Sequence, residues 1–89
     1  MDRGKEAAPE MREVIRLREK LLGAENPDTL ESCYDFARGL RRQGKIGEAE
    51  EFAQRAAKGA RKVLGPDHPL TRKYEKLGQE LQSQTAAAK

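Results

Sequence analysis

The sequence contains few of the residues on which metal-binding, catalytic and disulfide-stabilised proteins depend. It has no tryptophan, one cysteine and one histidine among 89 residues. A single cysteine excludes an internal disulfide and fits an intracellular location. One histidine and one cysteine cannot form a zinc site within one chain unless carboxylates help. We therefore expect a cytoplasmic protein with no metal and no cofactor.

Large apolar residues are also scarce, and they form no long run. Leu, Ile, Val and Phe number 15 of 89 residues, which is below the roughly 20% at which disorder becomes a serious alternative. No segment approaches the 18 or so consecutive apolar residues of a transmembrane helix. The charged N-terminus lacks the apolar stretch of a secretory signal peptide. The sequence thus predicts a soluble protein with a thin core, which a neighbouring repeat or chain would stabilise.

What the chain does contain is a nine-residue segment that occurs twice. Residues 21–29 return as residues 63–71, with Leu, Gly, Pro and Thr at identical places and a spacing of 42 residues. In each copy a Gly follows an apolar-periodic run and a Pro begins the next run, and these are stop and start signals of helices. A helix-loop-helix hinge that recurs at a fixed period is typical of a helical repeat.

Apolar residues at helical spacing predict four helices in all, and each hinge joins two of them. The helices should span about residues 6–22, 28–42, 47–64 and 69–82, between a flexible start at 1–5 and a flexible tail at 83–89. Pro9 would then lie in the first turn of its helix, where proline is tolerated. The predicted inward positions of the second helix are Leu30, Cys33, Phe36, Ala37 and Leu40.

Two further features of the helices predict how they pack. Gly39 lies inside the second helix at a cost in helix propensity, which indicates a close backbone contact at that point. Tyr74, Leu77 and Leu81 form a narrow apolar stripe on the fourth helix. Such a stripe suits a helix that caps the end of an array, with one face buried and the other in water.

The sequence around the two hinges resembles a known family. Residues 26–67 are similar to one complete tetratricopeptide repeat of the kinesin light chain type, the 42-residue variant with long helices. The likeness covers about residues 6–77 and is most specific in the hinge Val-Leu-Gly-Pro-Asp-His-Pro at 63–69. Along the helices it rests on Cys33, Phe36, Ala37, Leu40, Gly44, Ile46, Ala49, Ala53 and Ala56. Ala53 replaces an expected aromatic residue, and Tyr34 and Asp35 replace the usual asparagines.

The resemblance implies an all-α, right-handed superhelical array of antiparallel helix-turn-helix units. It also implies a non-enzymatic scaffold that binds a peptide or helix of a partner protein in a concave groove. In that geometry Tyr34, Arg38, Arg41 and Arg42 project from the second helix toward the groove. Because guanidinium groups bind carboxylates bidentately, an acidic peptide or a free C-terminus is the expected ligand class. The alternative interpretation is that these arginines form an ordinary solvated helix face.

The remaining candidates for chemistry have structural explanations. His68 lies in the second hinge, where we expect it to cap the fourth helix or pack in the linker. Cys33 is expected to be a small buried apolar residue rather than a nucleophile. Lys58, Arg61 and Lys62 complement the dipole at the end of the third helix, and no aromatic residues alternate with them as in single-strand nucleic-acid sites. We therefore expect neither an enzyme nor a nucleic-acid-binding protein.

A second interpretation is self-association. The chain begins with the second helix of one repeat and ends with the first helix of another. It is thus expected to be a piece of a longer array, or a unit that completes itself as a homo-oligomer. In the second case two open ends would bury against another copy: Met11, Val14, Ile15 and Leu17 on one side, and Tyr74, Leu77 and Leu81 on the other.

Overall fold

Four helices joined by short loops make up the structure. It is a computed structural model that describes the backbone of residues 3–87 and the side chains of residues 11–85. The helices are α1 (Arg3–Leu22), α2 (Pro27–Arg42), α3 (Ile46–Leu64) and α4 (Pro69–Ala87), and the described residues include no strand. Each helix packs mainly against the next one in the chain, which makes an antiparallel array. The predicted all-α repeat architecture is confirmed.

The two copies of the hinge end and begin helices in the same way. Gly23 and Gly65 have φ angles of 98° and 96°, a backbone conformation that strains any residue with a Cβ. Asn26 Oδ1 accepts a hydrogen bond of 2.9 Å from the backbone N–H two residues further on, and His68 Nδ1 does the same at 3.1 Å. These two residues are 42 positions apart, so they are equivalent helix caps. The predicted capping role of His68 is confirmed.

The core lies mainly between α2 and α3. All five inward positions predicted for α2 are buried. Phe36 of α2 and Phe52 of α3 meet edge to face, with ring centroids 4.7 Å apart. The guanidinium of Arg12 lies 5.3 and 5.5 Å from these two rings and forms an ion pair of 2.8 Å with Glu48. Arg12 therefore attaches α1 to both helices of the central pair.

A close contact of α2 with α3 occurs at Gly59, and the prediction for Gly39 is wrong. A Cβ on Gly59 would collide with Cδ2 of Leu30 in the facing helix. A Cβ on Gly39 would meet nothing within 4 Å. The difference arises because Gly59 is buried on the face of α3 that α2 covers, whereas no neighbouring helix comes near Gly39.

Both terminal helices are longer than the sequence predicted. α1 begins at Arg3 rather than at about residue 6, since residues 5–8 are strong helix formers. Pro9 therefore lies in the second turn rather than the first, where it cannot donate to the carbonyl of Lys5. α4 continues through residues 83–87, which were predicted to be a flexible tail. The Thr85 hydroxyl lies 3.0 Å from the Leu81 carbonyl and 3.1 Å from Glu50 Oε2 of α3, and these contacts stabilise the last turns. Residues 1–2 and 88–89 of the predicted flexible ends lie outside the described residues.

The two ends of the array differ, and only one is apolar and open. Tyr74, Leu77 and Leu81 are buried, because α4 packs its apolar stripe onto α3. The predicted open apolar surface at this end is therefore wrong. Ile15 of α1 is buried as well, whereas Val14 and Leu17 are 36% and 46% exposed. Leu21, which is one turn beyond Leu17, is 78% exposed, so α1 carries an uncovered apolar stripe.

Candidate functional site

A cleft of about 450 Å³ lies between α2 and α4 and contains all four residues predicted for the groove. These residues recur along α2 at helical spacing, on a side that α3 does not cover. The side chains of α4 form the opposite wall. The lining residues are Tyr34, Arg38, Arg41 and Arg42 from α2, and Lys73, Lys76, Leu77 and Glu80 from α4. The fold thus brings together two groups of cations, one on each helix, that are more than thirty residues apart in the sequence.

One end of the cleft is organised by two tyrosines. The rings of Tyr34 and Tyr74 stack with centroids 4.8 Å apart and an angle of 33° between their planes. The Arg38 guanidinium and the Lys73 ammonium lie 5.7 and 5.0 Å from the centroid of the Tyr34 ring. Cations at this distance are attracted to the face of an aromatic ring. Tyr34 therefore positions two of the cations, in addition to supplying apolar surface.

The environment of Tyr74 favours the protonated form of its hydroxyl. Burial raises the pKa of Tyr74 above its ordinary value, and the carboxylates of Glu31 and Asp35 raise it further. The neutral ring thus remains a stacking partner for Tyr34 over the physiological range. Glu31 and Asp35 come before the cationic part of α2 in the sequence, and neither lines the cleft.

The cleft carries a strong positive charge. Its eight lining residues include five cations and one carboxylate, a net charge of +4, compared with +3 for the whole chain. Arg41 forms an ion pair of 3.1 Å with Glu80. Arg38, Arg42, Lys73 and Lys76 form no ion pair with any other described residue. Unpaired cations that converge on a cleft produce a positive potential that attracts anionic groups.

Sequence reasoning missed the α4 side of the cleft. Lys73, Lys76 and Glu80 flank the apolar stripe of α4, so a helical projection would place them at the edges of its buried face. The register between α2 and α4 could not be predicted from the sequence. Tyr34 faces Tyr74, forty positions on, and Arg41 faces Glu80, thirty-nine positions on, although the hinge repeats at 42.

A second cleft, of about 380 Å³, has Cys33 in its lining. Burial raises the pKa of the Cys33 thiol to about 11, the Glu19 carboxylate raises it further, and Arg55 acts in the opposite direction. The thiol is therefore protonated at neutral pH and is a poor nucleophile. Glu19 pairs with Arg55 at 3.8 Å, and Lys62 pairs with Glu25 at 2.8 Å, so both carboxylates in the lining of this cleft have cationic partners. Cys33 thus behaves as the small buried residue that its position predicted.

The described residues contain no group of three or more His, Cys, Asp or Glu side chains that could hold a metal ion. None of the described helices is long and apolar enough to cross a membrane.

Comparison with known proteins identifies the repeat. The family model of the tetratricopeptide repeat matches residues 1–28 and residues 29–70. The second match covers 42 residues and contains most of α2 and all of α3, and the first covers 28 residues and contains α1. The boundary between them falls in the first turn of α2. No curated protein matches the chain.

Proposed function

The chain belongs to the tetratricopeptide repeat family, and we propose that it binds an acidic peptide segment of a partner protein in the cleft between α2 and α4. Repeats of this family generally mediate protein–protein interaction and are not enzymes. A non-enzymatic scaffold is therefore the function that the family supports. The finer proposal, which concerns the ligand and its place, rests on this chain's own cleft.

The observation that carries the proposal is the concentration of positive charge in one cleft. Arg38 and Arg42 offer unpaired guanidinium groups, which bind carboxylates with two parallel hydrogen bonds. Lys73 and Lys76 supply ammonium groups on the opposite wall. The buried Leu77 gives the cleft an apolar base between the two charged walls. A volume of about 450 Å³ lies within the range of ligand pockets in proteins and would accommodate a few residues of an extended peptide.

Peptide binding would test this proposal directly. A fluorescein-labelled peptide rich in Asp and Glu is titrated with the protein, and binding is followed by fluorescence anisotropy. The double substitution Arg38→Glu with Arg41→Glu should weaken binding at least about tenfold, because each charged hydrogen bond contributes about 1.5–3 kcal/mol. A basic peptide of the same length should not bind.

A matched control separates the cleft from general charge. Lys58→Glu with Arg61→Glu makes the same change in net charge on α3, and neither residue lines the α2–α4 cleft. This variant should bind the acidic peptide within about twofold of the unmodified chain, since charges beyond a Debye length of about 8–10 Å are largely screened. Equal losses in the two double variants, with unchanged helical content, would show that the cleft is not the binding site.

The apolar stripe of α1 favours a second candidate function, which is self-association. We propose that Val14, Leu17 and Leu21 would form the contact, because they are the exposed large apolar residues of one helix face. Light scattering over a range of concentrations measures the mass. A dimer that Leu17→Glu with Leu21→Glu converts to a monomer would support this candidate. A monomer at every concentration would exclude it.

Two further proposals concern the type of repeat and the location of the protein. The 42-residue length of the second match, together with the hinge that recurs at 42 residues, supports a repeat of the kinesin light chain type. A cytoplasmic location stays a proposal that cell fractionation would test.

A further inference from the structure

Glu80 is the one carboxylate among the eight residues that line the α2–α4 cleft. Its Oε1 lies 3.1 Å from Nη1 of Arg41, so it occupies the place that a ligand carboxylate would take on that guanidinium. We propose that Glu80 is an intramolecular competitor for the acidic ligand and sets a minimum negative charge for binding. This inference rests on the function proposed above.

The exposure of the ion pair allows a ligand to displace it. The side chains of Arg41 and Glu80 are 38% and 44% exposed. Ion pairs exposed to this degree contribute little to stability, because water and salt screen them. A ligand carboxylate can therefore replace Glu80 on Arg41 without disrupting the contact between α3 and α4, which depends on buried residues.

The displaced carboxylate would also have an alternative partner. Lys76 precedes Glu80 by four residues on α4, and side chains at this spacing are neighbours on a helix surface. Lys76 forms no ion pair with another described residue in the present arrangement. Glu80 can thus move from Arg41 to Lys76 and stay paired while Arg41 binds the ligand.

The competition determines which ligands bind. A ligand with one carboxylate gains one set of contacts but must also oppose the negative charge of Glu80 nearby. A ligand with several carboxylates can occupy Arg38 and Arg42 first and then displace Glu80 from Arg41. The cleft should therefore discriminate between singly and multiply acidic peptides more sharply than its net charge alone would predict.

A structural role for the same ion pair predicts the opposite result. If the Arg41–Glu80 pair only held α2 and α4 in register, its loss would loosen the cleft and weaken binding. If Glu80 competes with the ligand, its loss should strengthen binding. The sign of the change in affinity thus separates the two roles.

The test compares Glu80→Gln with Glu75→Gln. Both residues lie on α4, both pair with an arginine, and both substitutions add one positive charge; Glu75 pairs with Arg61 at 3.4 Å outside the cleft. The probes are fluorescein-labelled peptides with one, two and four glutamates. Glu80→Gln should tighten binding by about two- to fivefold, most for the peptide with one glutamate, while Glu75→Gln stays close to the unmodified chain. Glu80→Ala should behave as Glu80→Gln does.

The affinities of these variants also separate the competitor role of Glu80 from the proposed binding of acidic peptides. If Glu80→Gln binds no more tightly than Glu75→Gln, or more weakly than the unmodified chain, the competitor role is wrong, even where the acidic peptides bind and the function proposed above stands. If neither the unmodified chain nor Glu80→Gln binds any acidic peptide, both proposals fail. Binding that appears only after Glu80→Gln would support the competitor role.

Discussion

Alanine substitutions at two glycines test whether one close contact fixes the separation of α2 and α3. Gly39 and Gly59 both lie inside helices, so alanine should remove a similar penalty in helix propensity at each, about 0.5–1 kcal/mol. At Gly39 the new methyl group meets no atom within 4 Å. Gly39→Ala should therefore raise the free energy of unfolding by about 0.5–1 kcal/mol. In a domain of this size that corresponds to a rise in melting temperature of roughly 2–8 °C.

The same substitution at Gly59 should have a different result. Its methyl group collides with Cδ2 of Leu30, and Leu30 is 2% exposed, so its side chain cannot swing into water. Overpacking a core costs about 1–3 kcal/mol. After the gain in propensity is subtracted, Gly59→Ala should range from neutral to a loss of about 2 kcal/mol. The two variants should thus differ by about 1–3 kcal/mol.

Urea and thermal unfolding, followed by far-ultraviolet circular dichroism, would measure this difference. Leu30→Val shortens the colliding side chain, so a double-mutant cycle with Gly59→Ala should give a favourable interaction energy. If Gly59→Ala stabilises the protein as much as Gly39→Ala does, Leu30 relaxes freely. The close contact at Gly59 would then not determine how α2 and α3 pack.

Three further predictions concern single buried or capping groups. His68→Ala should lower the free energy of unfolding by about 0.5–2 kcal/mol, because it removes the cap of α4. His68→Asn should retain most of that stability, because Asn26 caps the equivalent helix. Equal losses in the two variants would refute the capping role. Thr29→Val and Thr71→Val should each raise the free energy of unfolding by about 1 kcal/mol in urea, since both hydroxyls are fully buried and have no hydrogen-bond partner among the described residues. Destabilisation would mean that the hydroxyls are satisfied. The raised pKa of Cys33 means that the folded state favours the protonated thiol, so the stability it contributes is present below pH 9 and is lost as the pH rises toward about 11. Urea unfolding should record this loss at up to about 1.4 kcal/mol per pH unit, and Cys33→Ala should lack it.

The parts of the fold that the sequence predicted are those that local signals determine. Gly23, Gly65 and the two prolines that follow them stop and start helices whatever lies nearby, so the inner helix boundaries agree with the structure to within about one residue. The predicted end of α4 was wrong because the last turns of that helix make a contact outside the helix. Thr85 contacts Glu50 of α3, and no local pattern near residue 85 indicates that contact.

Local signals also predicted only one side of the candidate site, the side that α2 provides. Tyr34, Arg38, Arg41 and Arg42 lie on one helix, and helical spacing alone places them on one side of it. Their partners on α4 depend on how far α4 is shifted along α2. This shift places Glu80 next to Arg41. It depends on the packing of the buried residues of α4 against α3. The charge of the site could thus be anticipated from sequence, but its internal counter-ion could not.

The 42-residue equivalence between α2 and α4 shows that the outer face of α4 is polar where the corresponding face of α2 is apolar. Buried residues of α2 correspond in α4 to polar residues: Leu30, Cys33, Ala37 and Leu40 become Arg72, Glu75, Gln79 and Gln82. A further helix packed on that face would have to desolvate these groups without compensating apolar burial. At the other end of the array, the exposed face of α1 is apolar. Its residues Val14 and Leu17 correspond, 42 positions on, to Ala56 and Gly59, which are buried in α3. A head-to-tail stack of copies would therefore set the polar face of α4 against the apolar face of α1, which favours the cleft over such a stack as the place where α4 meets a partner.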